Sequence, residues 1–173
     1  MLILSEQKQT SSEVFFPSDD CFHLGPSSIS ELIESAKVTE RQRARLCVHP
    51  SDDALVQQMF IVHPAGAYVR PHRHNNKTES MLILQGEADY LSFTSSGELV
   101  ERVKLSDYHS GCPFFQMTPP GLYHSLIIRT RWLVFIEVTG GPFRKGDSNF
   151  APWSPEDNDT AGIGRFVEII ETL

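Results

Sequence analysis

The sequence predicts an all-β fold, a sandwich or barrel of short strands preceded by one short helix. Six segments rich in branched and aromatic residues carry this reading, together with the turn clusters between them. Many short strands with Gly- and Pro-rich turns pack as sandwiches or barrels.

Residues 1–27 form an N-terminal arm of polar and turn residues, in which Val14–Phe16 is a candidate edge strand. In "SSISELIESAK", Ser28 and Glu31 make a capping box, and Ile29, Leu32, Ile33 and Ala36 recur at i, i+3, i+4 and i+7, the spacing of one helix face. After the basic run "ERQRARL" the pattern changes to strands: "LVQQMFIV" (55–62), "SMLILQ" (80–85), "ADYLSF" (88–93), "LVERVKL" (99–105), "LYHSLII" (122–128) and "WLVFIEV" (132–138). Turns fall at "TSSGE", "HSGCP" and "TPPG". From Gly140 to Thr160 the chain reads as an ordered loop anchored by Phe143, Phe150 and Trp153. There is no internal repeat, low-complexity segment or sign of a second domain.

A chain of 173 residues is sized for one domain with its own core. Its net charge of −7 argues against a general binder of nucleic acid or membrane surfaces, and an acidic partner would need a locally basic pocket. The opening "MLIL" lacks the basic flank and length of a signal segment, and no apolar run approaches a membrane span. Cys21, Cys47 and Cys112 are odd in number and widely spaced, which argues against a disulfide framework. A cytoplasmic protein is the expectation.

The chemistry concentrates in "GAYVRPHRHNNKTESMLILQG", Gly66 to Gly86. Side chains at i and i+2 of a strand share a face, so Tyr68, Arg70, His72 and His74 would point the same way, and two imidazoles in H-x-H spacing can grip one ion. The loop "NNKT" turns the chain back and brings the Glu79 carboxylate to the same point. Gly66 and Gly86 stand where the backbone must turn sharply. Three ligands from one hairpin cannot surround an ion. His124, just inside the strand after the proline–glycine turn, is the expected fourth.

This combination resembles the cupin superfamily. Gly66, His72, His74, Glu79 and Gly86 match every fixed position of its first motif, G-x5-H-x-H-x3,4-E-x6-G. In the second, Pro119, Gly121 and His124 fit, while Gly111 lies seven residues before Pro119 and Ile128 stands in place of the terminal Asn. More narrowly, residues 28–157 look like the WbuC family of cupin-fold metalloproteins, on "ERQRARLCVHPSDD", "YVRPHRHNNKTE" and "FAPWSPED". The family is associated with bacterial O-antigen sugar clusters, hence with polysaccharide biosynthesis. The resemblance implies a single cupin jelly-roll β-barrel, with a core of about 46–140, the helix outside and a tail over 158–173. It implies one divalent transition metal (Zn, Fe, Mn or Ni) on His72, His74, Glu79 and His124, and a homodimer, for which Val14–Phe16 is a candidate strand added to a neighbour.

Each residue has a plainer alternative. The four ligands could be polar relics of a degenerate site. His23, His63 and His109 read as surface or turn residues, and His49 as either structural or pocket-lining. Arg70 either lines the pocket or holds an inward ion pair. Lys77 reads as solvated, Cys112 as a buried or turn thiol, and Phe114, Phe115 and Phe135 as core. For function, the leading expectation is a metalloenzyme acting on a small polar, sugar-derived substrate by isomerisation or epimerisation. An Fe(II)-dependent dioxygenase and a non-catalytic metal-dependent binding protein are the alternatives. Tyr68 and Arg70 are the catalytic candidates, with Tyr90 and Tyr123 as further acid–base groups. The expected ligand is an anionic, oxygen-rich molecule held between Arg70 and the metal.

Overall fold

The computed structural model describes residues 4–144 and 146–173. Residues 1–3, which open the stretch read as lacking a signal segment, and Lys145 of the 140–160 loop lie outside the described residues. The chain runs through β1 (Lys8–Ser11), β2 (Val14–Phe16), α1 (Pro26–Lys37), β3 (Ala44–Cys47), β4 (Val56–Pro64), β5 (His72–His74) and β6 (Glu79–Gln85). It continues through β7 (Glu87–Phe93), β8 (Leu99–Ser106), β9 (Phe115–Thr118), β10 (Tyr123–Ile128), β11 (Trp132–Gly140), β12 (Ser148–Phe150) and α2 (Thr160–Thr172).

Two sheets stack face to face. One has the order β1-β2-β3-β4-β11-β6-β9 and the other β12-β5-β10-β7-β8. The expected jelly-roll β-barrel is therefore corrected: the sheets do not close on each other, and each keeps two edges. Short strands form three of those four edges: β1 and β9 have four residues each, all exposed in β1, and β12 has three.

The core between the sheets is built from alternate residues of the inner strands, among them Met59, Ile61, Met81, Ile83, Tyr90, Leu133 and Phe135. Ile128, which stands where the family motif has Asn, is one of these buried residues. The larger sheet's outer face is covered by α1, through Leu32 and Ala36 against Ala44, Leu46, Val62 and Val134. The predicted periodicity is thus the buried face. The helix starts at Pro26 with Gly25 as its cap, and the Gly25 N–H donates to Ser28 Oγ at 3.5 Å. Glu31 instead accepts the Leu4 N–H at 2.7 Å, outside the predicted box.

Expectations for several segments change. Val14–Phe16 is not offered to a neighbour: β2 pairs in parallel with β3 and antiparallel with β1 of the same chain. The 158–173 tail, to which no element was assigned, forms α2. Its Phe166 and Ile170 pack with Leu91, Phe93 and Trp153 on the smaller sheet's outer face. Phe135 is core, as predicted, but Phe115 is half exposed because β9 is an edge strand. In the 140–160 loop, Trp153 anchors the chain against Phe93 and Tyr123, whereas Phe143 remains exposed.

Candidate metal centre

The strand β5 is only three residues long, yet it presents His72 and His74 on one face, as i, i+2 spacing requires. Its register is set from both sides. His72 pairs with His124 of β10 and with Phe150 of β12, and the Gly121 N–H of the proline–glycine turn donates to the His74 carbonyl at 2.8 Å. Glu79 starts β6 in the facing sheet. Three imidazoles from one sheet thus meet one carboxylate from the other. The two flanking glycines are required by backbone geometry. Gly66 has φ +77°, and Gly86 has φ +91° with room so restricted that a Cβ would lie 2.3 Å from the Trp132 carbonyl oxygen.

One ligand atom from each of His72, His74, Glu79 and His124 lies within 4.8 Å of the others. His74 Nε2 is 3.0 Å from Glu79 Oε2, and His124 Nε2 is 3.3 Å from Oε1. Each Nδ1 faces a backbone carbonyl: Arg70 O for His72 at 2.8 Å, Asp147 O for His74 at 3.4 Å, and Leu122 O for His124 at 3.1 Å. Those acceptors favour the Nδ1–H tautomer, which leaves three Nε2 lone pairs aimed at a carboxylate. Lone pairs facing an anion repel unless a cation lies between them, and the buried His124 Nε2 has no hydrogen-bond partner. The donor set fits a divalent transition ion with borderline ligand preference, and the backbone carbonyls orient its imidazoles. Bound there, such an ion would act as a Lewis acid on an oxygen ligand.

Protonation follows the same geometry. Burial, then the neighbouring His124, pushes His72 down to about 4, so it is neutral at pH 7. Until a metal ion takes its place, a proton on His74 Nε2 bonds Glu79, and this hydrogen bond holds His74 above its ordinary value. Burial would raise Glu79, but contacts with His124 and His74 hold it well below the usual carboxylate range.

The cluster opens on a cavity of about 930 Å³ between the sheets, near the upper end for small-molecule sites. The predicted catalytic residues both line it. Tyr68 and Arg70 precede β5 and lie outside any strand, so they reach the cavity from a loop and the expected strand wall is corrected. The Tyr68 hydroxyl donates to the Pro155 carbonyl at 3.0 Å, and burial raises its pKa. Arg70 donates through Nε to Ser154 Oγ at 3.2 Å and lies 4.8 Å over the Phe150 ring, which leaves its terminal nitrogens for a ligand. Tyr90 is committed to Thr118 at 2.9 Å.

Other readings change at this site. Lys77 is not solvated; its ammonium is paired with Asp147 at 2.6 Å on the cavity wall. His63 is not a surface residue: it stacks on Phe135, and its Nδ1 is buried without a partner. His49 is buried and lines the cavity, edge-on to Phe16. His23 and His109 are exposed, as expected. Glu137 was missed. Its carboxyl lines the cavity, pushed up to about 7 by burial and by the charge of Glu79. The available signal was a lone carboxylate at an inward position of "WLVFIEV", two residues after Phe135. All three cysteines are free, in agreement with the sequence reading.

A family model described as a domain of unknown function (DUF6016) matches residues 24–105. No curated protein matches the chain. Among solved structures, the chain is similar to an uncharacterised conserved protein with a double-stranded β-helix domain from Klebsiella pneumoniae. Identity is 17% over 72% of this chain and 94% of that one, with a TM-score of 0.52. A protein of Shewanella oneidensis aligns at 15% identity over 61% of this chain and 72% of its own, with a TM-score of 0.51. CapF, in complex with the inhibitor 3-isopropenyl-tropolone, aligns at 17% identity and a TM-score of 0.52 over 65% of this chain. The chain spans 32% of CapF's length, and 22% of that of Brassica napus procruciferin. At these identities the likeness shows the fold alone, the double-stranded β-helix of the cupins. Fold and cluster together define a cupin-fold protein with a candidate metal site of three histidines and one glutamate.

Proposed function

We propose that this protein is a metalloenzyme acting on a small, oxygen-rich, anionic molecule of sugar-derived type, in an isomerase- or epimerase-like reaction. The observation that carries the reading is the convergence of three Nε2 atoms and one carboxylate on a large cavity that Arg70 also lines. A guanidinium grips a carboxylate or phosphate bidentately, while a metal would hold a carbonyl or hydroxyl of the same molecule. Membership of the WbuC family, a place in polysaccharide biosynthesis, a cytoplasmic setting and a homodimer belong to the same proposal. They rest on the sequence resemblance. One observation favours a second reading, a non-catalytic binding protein: Tyr68 and Tyr90, which line the cavity, both have hydroxyls engaged elsewhere, and Tyr123 packs away from it with Leu91 and Phe93.

The test is calorimetric titration of metal-loaded wild type, Arg70→Lys and Arg70→Ala with sugar acids, sugar phosphates and dicarboxylates. Arg70→Lys should weaken the best ligand although charge is kept, and Arg70→Ala should weaken it further, with metal content unchanged. Equal binding by all three proteins removes Arg70 from the site.

A further inference from the structure

The basic run "ERQRARL" takes no part in the metal cluster, yet it reaches the same cavity. Arg43 and Arg45 line it, and Arg41, Arg43 and Arg45 together line an adjoining pocket of about 110 Å³. We propose that these three arginines form an anion subsite, suited to a phosphate group, at the opposite end of the cavity from the metal. The inference rests on the reading of the cavity as the site of an anionic small molecule and adds a phosphoryl group at that molecule's far end.

Four observations support it. First, Glu13 holds two of the guanidinia together: Arg41 donates through Nε at 2.8 Å and also through Nη2, and Arg43 donates through Nε at 3.2 Å. Arg43 meets this carboxylate through Nε alone, and its terminal nitrogens have no hydrogen-bond or ion-pair partner among the described residues. Second, Arg45 has no ion-pair partner among the described residues, whereas Lys77 and Arg70, which line the same cavity, are engaged by Asp147 and Ser154. Third, alternation along β3 turns Ala44 and Leu46 toward α1, so Arg45 and Cys47 face the cavity. The Arg45 charge is felt there, lowering His63 and opposing the upward shift of Glu137. Fourth, three arginines against one glutamate leave about +2, opposite in sign to the chain's −7 and matched to the roughly −2 of a phosphate ester.

Spacing sets the kind of ligand. Arg45 pairs with Ile61 on β4, and Gln57 of that strand lies in the row of Thr139 and Glu79. Three strand steps sideways and four residues along separate the Arg45 and Glu79 backbones by roughly 20 Å on a flat sheet. With both side chains extended along the cavity, a gap of about 10 Å would be left. An extended phosphorylated molecule spans that gap, with its oxygen-rich end toward the metal and its phosphate at the mouth. Arg45 is exposed there, and Arg41 is 60% exposed.

The experiment is calorimetric titration, at constant ionic strength, with inorganic phosphate, a hexose 6-phosphate, the unphosphorylated hexose and a hexuronic acid. The proteins are full-length wild type, Arg45→Gln, Arg43→Gln and His72→Ala; all are first checked for a wild-type circular dichroism spectrum, and the two arginine variants also for wild-type thermal melting and metal content. Inorganic phosphate should bind wild type and His72→Ala alike, because the subsite is remote from the metal. Arg45→Gln and Arg43→Gln should each weaken phosphate and the hexose phosphate at least about tenfold. The inference is overturned if phosphate does not bind, if both arginine variants bind it like wild type, or if His72→Ala abolishes binding. It is overturned as a phosphate site if the hexuronic acid matches the hexose phosphate and shows the same Arg45 dependence. The phosphate arm reads out even where no metal is bound, so failure of the metal reading and failure of this one are separable.

Discussion

At the scale of single residues, the backbone carbonyls behind His72, His74 and His124 decide the site's chemistry. Each takes an Nδ1–H and aims the opposite nitrogen inward. The ligand types and the H-x-H spacing were legible in the sequence because strand alternation is local. The carbonyl partners were not, since Asp147 lies 73 residues from His74. His63 shows the same division, because its neighbours Phe135 and Arg45 come from other strands. Burial, and then the Arg45 charge, pushes it down from an ordinary 6.5 to about 4. The fold therefore prefers neutral His63, while the unfolded chain takes up a proton below about pH 6.5. Its contribution is complete above that pH and is lost as pH falls toward about 4. Between pH 7 and 5 this one residue should cost roughly 2 kcal/mol of stability. Denaturant titrations of wild type and His63→Leu at both pH values check it. The loss should shrink in the variant, and equal pH dependence would return His63 to a solvated role.

Among the elements, β5 and α2 carry the lesson. A three-residue strand has no periodicity to read, and β5 exists because β10 and β12 pair with it on either side. The helix α2 has the apolar spacing of Ile163, Phe166 and Ile170, but nothing local says which surface it covers. That surface is the outer face of β7, whose Leu91 and Phe93 are buried on the side away from the metal. Polar contacts hold the helix end: Arg102 donates to the Ile170 carbonyl at 2.8 Å, and Arg129 bridges Asp89 and Glu171. Ile170 is 3% exposed, so Ile170→Ala should cost about 3 kcal/mol and lower Tm by roughly 10 °C. Thermal unfolding followed by Trp153 fluorescence measures this directly. A loss below about 1 °C would show that α2 is not docked as described.

For the whole molecule, the ligands come from both sheets, with Glu79 on β6 of one and the histidines on β5 and β10 of the other. An ion held between them ties the sandwich together, so binding and folding stability are linked. Protein loaded with Zn, Fe, Mn or Ni should melt several degrees above protein stripped by a chelator. His72→Ala and His124→Ala should lose both the metal and the chelator response. Wild type that retains none of these metals by elemental analysis would end the metal reading.

The sequence by itself determined the six main strands, the buried face of α1 and the four residues that meet at the cluster. Each follows from alternation, periodicity or motif spacing, properties that lie along the chain. Only the tertiary structure decided that the sheets stack without closing, that Val14–Phe16 pairs inside its own chain, and that α2 covers β7. It alone brought Glu137, His63, Arg43 and Arg45 to one cavity, with Arg41 in the adjoining pocket. These depend on contacts between segments tens of residues apart. Such contacts are set by which apolar faces remain to be covered and which charges find partners, and no local pattern records that.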